Sequence, residues 1–252
     1  MAIDFAKMKQ KLNALQNNGS SSKTNVFWKP QDGDQTIRIV PTADGDPFKE
    51  VWFHYNVGKN PGFMCPKKNH GKDCPVCNFA WHIYSEAKEK NDAETLKLSK
   101  SLFPKQRFFS PVLVRGDEGV GVKLWGYGKM AYTELIQLVL NPDYGDITDT
   151  DTGTDLVINY GKPAGASYPV TKIHPRRRPS ALAESNQDVK AYLDGIPSFK
   201  DAFNRKTNEE IETMLEAFLS GKEAEAAEGS ETTKYNSTST SDVDTAFKEL
   251  LS

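Results

Sequence analysis

Four side chains with metal-binding chemistry crowd one short stretch. His54, Cys65, Cys74 and Cys77 place an imidazole and all three thiols of the chain between positions 54 and 77. The turn of a C-x-x-C pair brings two sulfurs to one ion, and two further soft ligands complete the tetrahedron of a structural zinc site. Gly58, Pro61, Gly62, Pro66, Gly71 and Pro75 leave this loop too little apolar mass to order itself. Metal binding supplies the missing folding free energy. Three imidazoles compete for the fourth position. His54 is preferred, because the alternating run Val51-Trp52-Phe53-His54-Tyr55 predicts a strand that would hold its ring. His70 lies within the loop, and His82 follows Cys77 on a predicted helix. The expected cofactor is one structural Zn²⁺.

Two other chemistries use similar residues. Zinc deaminases pair H-x-E with P-C-x-x-C, the glutamate moving protons. Here Asn56 stands where that carboxylate would be, and Asp73 precedes Cys74. A thioredoxin-like C-P-x-C needs a βαβ setting, which the pattern lacks, and would leave Cys65 over. Four protein ligands leave a metal no open position, so the chain is not expected to be an enzyme.

A second constellation is basic and aromatic. Between 97 and 132, Lys97, Lys100, Lys105, Arg107, Arg115, Lys123 and Lys129 outnumber Asp117 and Glu118, with Phe103, Phe108, Phe109, Trp125, Tyr127 and Tyr132 interleaved. Single-stranded nucleic acid asks for such a surface: phosphates seek the cations, and unpaired bases stack on rings whatever their sequence. Period-two alternation puts Val120, Val122 and Leu124 on one face and Lys123 with Trp125 on the other, predicted to be an outer binding face. Since neighbours on a strand face opposite ways, Phe108 or Phe109 must point inward. Lys172, His174 and Arg176, Arg177 and Arg178 form another cationic cluster, the arginines set between Pro175 and Pro179.

The elements that must position these residues divide the chain into three. Residues 1–22 place Phe5, Met8, Leu12 and Leu15 at helical spacing beside Lys7, Lys9 and Lys11, then run into Asn17-Asn18-Gly19-Ser20-Ser21-Ser22, a flexible linker composition. This is expected to be a basic arm. Residues 23–220 form the folded core. Strands are predicted at 35–40, 51–57, 107–115, 120–125, 154–160 and 168–173, and helices at 78–90, 132–140 and 209–219. Thr207 and Glu210 can cap the last helix, and Gly221 can end it. Short strands without βαβ alternation predict an α+β small barrel with helical insertions. Residues 221–252 are rich in Ala, Glu, Ser and Thr. They are expected to form an acidic, disordered tail whose Phe247, Leu250 and Leu251 dock on partners.

Composition narrows the classes. The chain has 252 residues, 37% hydrophobic and 26% charged, with a net charge of −2. No window approaches the roughly 20 apolar residues of a membrane helix. Three cysteines are too few for a disulfide scaffold. Residues 1–15 carry charges throughout and have no apolar core, so a cytoplasmic location and no membrane partner are expected. The acidic residues of 221–252 leave the rest mildly basic, an asymmetry that hints at nucleic acid.

Taken together, His54, Cys65, Cys74-Pro75-Val76-Cys77, the strand Gln35-Thr36-Ile37-Arg38-Ile39-Val40-Pro41 after Trp28-Lys29, Arg107-Phe108-Phe109, Trp125-Gly126-Tyr127-Gly128-Lys129 and the acidic end resemble the T4-type bacteriophage single-stranded-DNA-binding (helix-destabilising) proteins. The resemblance spans nearly the whole chain, but only the zinc motif is specific in itself. It implies an OB-fold-like five-stranded barrel core with a zinc-binding subdomain, binding single-stranded DNA without sequence preference during phage replication, recombination and repair in the host cytoplasm. It further implies self-association along DNA through the N-terminal arm, and recruitment of replication and recombination proteins by the tail. The family's arm opens with Lys, Arg, Ser and Thr, whereas this chain opens Met1-Ala2-Ile3-Asp4-Phe5, so cooperativity is expected to be encoded differently. The competing reading is a zinc-stabilised duplex-DNA-binding or protein-interaction module in transcription. A duplex reader needs a basic recognition helix, and the helix containing Glu209, Glu210 and Glu212 is acidic.

Overall fold

Apolar residues at every second position, or in unbroken β-branched runs, make strands, and punctuation by Gly, Pro and Asp ends them. The computed structural model of the protein describes residues 26–58, 62–203 and 205–220. The arm expected at 1–22 and the tail expected at 221–252 lie outside the described residues. Chain order runs β1 (Phe27–Trp28), β2 (Gly33–Ile39), β3 (Lys49–His54), β4 (Phe63–Met64), α1 (Pro66–His70), α2 (Pro75–Lys90), α3 (Ala93–Leu102) and β5 (Lys105–Val114). There follow β6 (Lys123–Tyr127), α4 (Lys129–Val139), β7 (Leu156–Gly161), β8 (Val170–Pro175), α5 (Asn186–Asp194), α6 (Phe199–Ala202) and α7 (Asn208–Leu219). The protein is α+β with a mixed sheet. No described helix is long and apolar enough to cross a membrane. Among the described residues, the stretch expected as one core forms two compact units, one from residues 26–50 and 107–202 and the other from residues 51–106 and 203–220.

In the first unit the strands neighbour one another in the order β1-β6-β5-β2-β7-β8. The β1–β6 pair is parallel and the others are antiparallel. One face of β5 and β6 carries Phe108, Val112, Trp125 and Tyr127 into a core with Ile37, Ile39, Ile158 and Leu135 of α4. The opposite face carries Leu113 into a smaller core with Val40, Val122 and Leu182, capped by Val189, Tyr192 and Leu193. Each fully buried side chain of this size contributes about 1.5–3 kcal/mol. Both faces of these two strands are therefore covered.

In the second unit β3 pairs with β4 antiparallel, His54 opposite Phe63. Phe79 and Ile83 of α2, Leu102 of α3, and Ile211 and Leu215 of α7 share a core with Phe63 and the three cysteines. Each long helix has a local reason to start. Asp92 accepts from the backbone of Glu94 and Thr95 before α3, and Thr207 and Glu210 form the capping box before α7.

Candidate metal centre and nucleic-acid surface

His54 and the three thiols converge in the second unit. All four are buried, and their ligand atoms lie within 4.8 Å of one another. Cys74 Sγ and Cys77 Sγ each lie 3.4 Å from His54 Nε2, and Cys65 Sγ is 3.5 Å from Cys77 Sγ. With Zn–S near 2.3 Å and Zn–N near 2.0 Å, the edges of a tetrahedron are about 3.5–3.8 Å. The spacing is consistent with a single structural zinc ion held by four protein ligands. His70 is not among these ligands, and His82 sits on α2 with Nε2 3.9 Å from Glu86.

Local structure fixes each ligand. The last residue of β3 supplies His54, whose Nδ1 lies 2.8 Å from the carbonyl of Leu102. A carbonyl only accepts, so Nδ1 carries a hydrogen, and Nε2 is the nitrogen that binds a metal once its own proton is displaced. The ring of Phe63 lies against the imidazole at 5.3 Å. Cys65 caps α1, and the backbone N–H of Lys68 donates to its sulfur. The amide of Asn69 donates to the carbonyls of Trp52 and Cys65 and accepts from the N–H of Trp52, tying the first cysteine to β3. Cys74 is the N-cap of α2, with Pro75 at the first helical position and Cys77 in the first turn. Gly62, at φ +146, leaves room that a Cβ would take from the ring of Tyr55, 2.8 Å away.

The electrostatics match a cation site. Burial disfavours a charged imidazole, but hydrogen bonds to Cys65 and Cys74 outweigh it and raise His54 to about 9. Hydrogen bonds from Cys74 and Cys77 push the Cys65 thiol well down, and the same proton sharing pushes Cys77 up. A divalent cation relieves this competition by displacing the protons.

The expected stacking rings are placed differently from their sequence reading. Phe108, Phe109, Trp125 and Tyr127 are all buried, Trp125 at 1% exposure. Trp125 and Tyr127 do share a face, with Ser110 and Phe108 opposite them on β5, but that face looks into the core. Phe108 stacks on Tyr132 with centroids 3.8 Å apart, and Tyr127 is hydrogen-bonded to Ser110 at 2.6 Å. Phe109 lies against Gly126, where a Cβ would come within 2.7 Å of its ring. The expectation that these rings form an outer binding face is corrected: alternation sorts residues onto faces, but it does not say that either face is open. Val120, expected on that strand, lies in a short 3₁₀ turn before it.

The cations fare better. Lys100 and Lys105 are exposed on the second unit, beside half-buried Phe103. On the first, Arg107 and Lys129 are exposed, and the Arg107 guanidinium lies over Gly128. Half-buried Lys123 lines a surface depression with Trp28 and Lys29. Arg176, Arg177 and Arg178 are exposed and line a pocket with Asp155 and Ser180.

Sequence reasoning missed what holds the three arginines. Arg38 is fully buried on β2 and pairs with Asp155 at 2.9 Å. Its Nη2 also donates to the carbonyls of Gly153 and Ser180. Arg115 grips the same carboxylate and donates to the carbonyls of Ala181 and Leu182. Backbone bonds from Arg176 to Asp155 and from Ser180 to Gly153 pin the segment at both ends. Arg38 set between Ile37 and Ile39, a lone cation at the apolar end of a predicted strand, was the available signal.

Compared with known proteins, the chain matches no protein-family model and no curated protein sequence.

Proposed function

We propose that the chain binds single-stranded DNA without reading its sequence, through a barrel of OB type in the first unit, and that the second unit is built around one structural zinc ion. The observation that carries the reading is the outward row of β8. Lys172, His174 and Arg176 face solvent while Ile173 faces the core, and the row continues into Arg177 and Arg178. Tyr168, 80% exposed, lies in the β7–β8 loop ahead of this row. In OB folds the loop between the fourth and fifth strands is a common oligonucleotide contact. The order β6-β5-β2-β7-β8, with α4 between β6 and β7, supports that assignment, making the β7–β8 loop the corresponding one. The acids beside this row are already engaged: Asp34 accepts from the amide of Asn159, and Asp155, beside the arginines, pairs with Arg38 and Arg115.

Phosphates would be neutralised by these cations and by Arg107 and Lys129, and bases would lie on exposed rings. The arm at 1–22 would mediate self-association, and the tail at 221–252 would recruit replication and recombination proteins. With all four positions filled by the protein, the zinc would organise structure and catalyse nothing.

Fluorescence anisotropy of labelled oligo(dT) and of a duplex of equal length, each at two salt concentrations, tests the reading. The single strand should bind more tightly, with log K falling against log salt by about 0.7 per phosphate contacted. Preference for the duplex, or no binding to either, would refute it.

A further inference from the structure

The second unit carries an aromatic group that neither the motif nor the basic strands suggested. Trp81, 55% exposed, sits on α2. Its ring centroid lies 4.9 Å from that of Phe103 and 5.7 Å from that of Tyr84, and Tyr84 and Phe103 are 5.9 Å apart. Phe103 rests on the unit's core, and the indole leans against it at 60° and meets Tyr84 edge to face, with more than half of its surface exposed. Two exposed cations stand at the same junction. Lys105 donates to the carbonyl of Lys100, bringing its ammonium to the last turn of α3, one turn before Phe103.

We propose that Trp81, supported by Tyr84 and Phe103, is a stacking platform for an unpaired base, with Lys100 and Lys105 taking the adjoining phosphates. The inference deepens the single-strand reading and rests on it. The rings of β5 and β6 are buried, so a protein that stacks bases must use others. This group combines a largely exposed indole with local positive charge, the two things a single strand requires. It is also held before any ligand arrives. Cys74 and Cys77 anchor the start of α2, two turns from Tyr84, and the Leu102 carbonyl accepts from His54 immediately before Phe103. The metal centre therefore fixes both helices that supply the rings, so little ordering remains to oppose binding.

The test uses the full metal-loaded chain and labelled oligo(dT), an otherwise identical abasic strand, and the variants Trp81→Ala and Trp81→Phe. Trp81 is more than half exposed, so both variants should keep the wild-type thermal melt. Trp81→Ala should weaken oligo(dT) binding by roughly 5- to 150-fold with an unchanged salt slope. Trp81→Phe should recover most of the loss, and wild type and Trp81→Ala should bind the abasic strand alike. If the wild type binds oligo(dT) and Trp81→Ala binds it equally well, the platform is wrong and the single-strand reading stands. Equal losses on the abasic strand and on oligo(dT) would likewise overturn stacking. If the wild type binds neither strand, the function and the platform fall together.

Discussion

His54 Nδ1 lies 2.8 Å from the carbonyl oxygen of Leu102. That bond joins the end of β3 to the end of α3 and fixes the tautomer whose other nitrogen faces three thiols. An imidazole free to rotate would lose entropy on metal binding. This one is already aimed, and its carbonyl partner raises its basicity as a ligand.

One metal ion should be retained per chain, and Cys74→Ser or Cys77→Ser should lose it along with the cooperative unfolding of Val51–Gln106 and its partner helix α7. Metal analysis and thermal melts followed by circular dichroism check this. Because His54 without metal holds its proton up to about 9, binding at neutral pH must expel that proton. Metal affinity should therefore rise as pH increases toward 9 and fall below neutrality. A pH-independent affinity would contradict the shared-proton cluster.

Trp125 belongs to the core, so truncation should cost stability. Trp125→Ala should lose about 3–5 kcal/mol in urea denaturation. Trp125→Phe should bind oligo(dT) within about twofold of the wild type, since the ring touches no base. A large affinity loss in a stably folded Trp125→Phe would restore the ring to the binding face.

Much of this architecture was legible in the sequence, for identifiable reasons. The predicted strands at 35–40, 107–115 and 154–160 each meet an observed strand, because turn residues and β-branched runs act locally. The capping box of Thr207 and Glu210 formed as its spacing implies. The ligand set was readable because soft donors are rare and clustered. Missed elements were those whose signal is weak or non-local. In α5 the apolar stripe is short, Val189, Tyr192 and Leu193 alone, and none of its residues is fully buried. Start signals for α3 come from Asp92, inside a charged run that resembles a loop. That both faces of β6 are covered depends on how α4 and the remote α5 fold back over the sheet, and no alternation within β6 encodes that.

Asp155 should matter far more than its place in a loop suggests. Asp155→Asn leaves the fully buried guanidinium of Arg38 without its counter-charge, and a broken buried pair costs about 3–5 kcal/mol. The same substitution loosens the segment that presents Arg176, Arg177 and Arg178, so oligo(dT) affinity should fall as well. Denaturation and anisotropy on one preparation measure both effects.

Arg177 and Arg178 are exposed, so the double variant Arg177→Ala/Arg178→Ala should melt within a few degrees of the wild type. If each contacts a phosphate, the slope of log K against log salt should shrink by about 0.7 per residue. An unchanged slope would remove both arginines from the binding surface.

A ligand that takes only the single strand must draw a duplex toward melting by mass action. The most direct test is the melting temperature of an alternating A·T duplex, followed at 260 nm, as saturating metal-loaded protein is added at low salt. The melting temperature should drop well below that of the free duplex and recover as salt is raised. A melting temperature that rises with added protein, or stays fixed, would contradict single-strand binding.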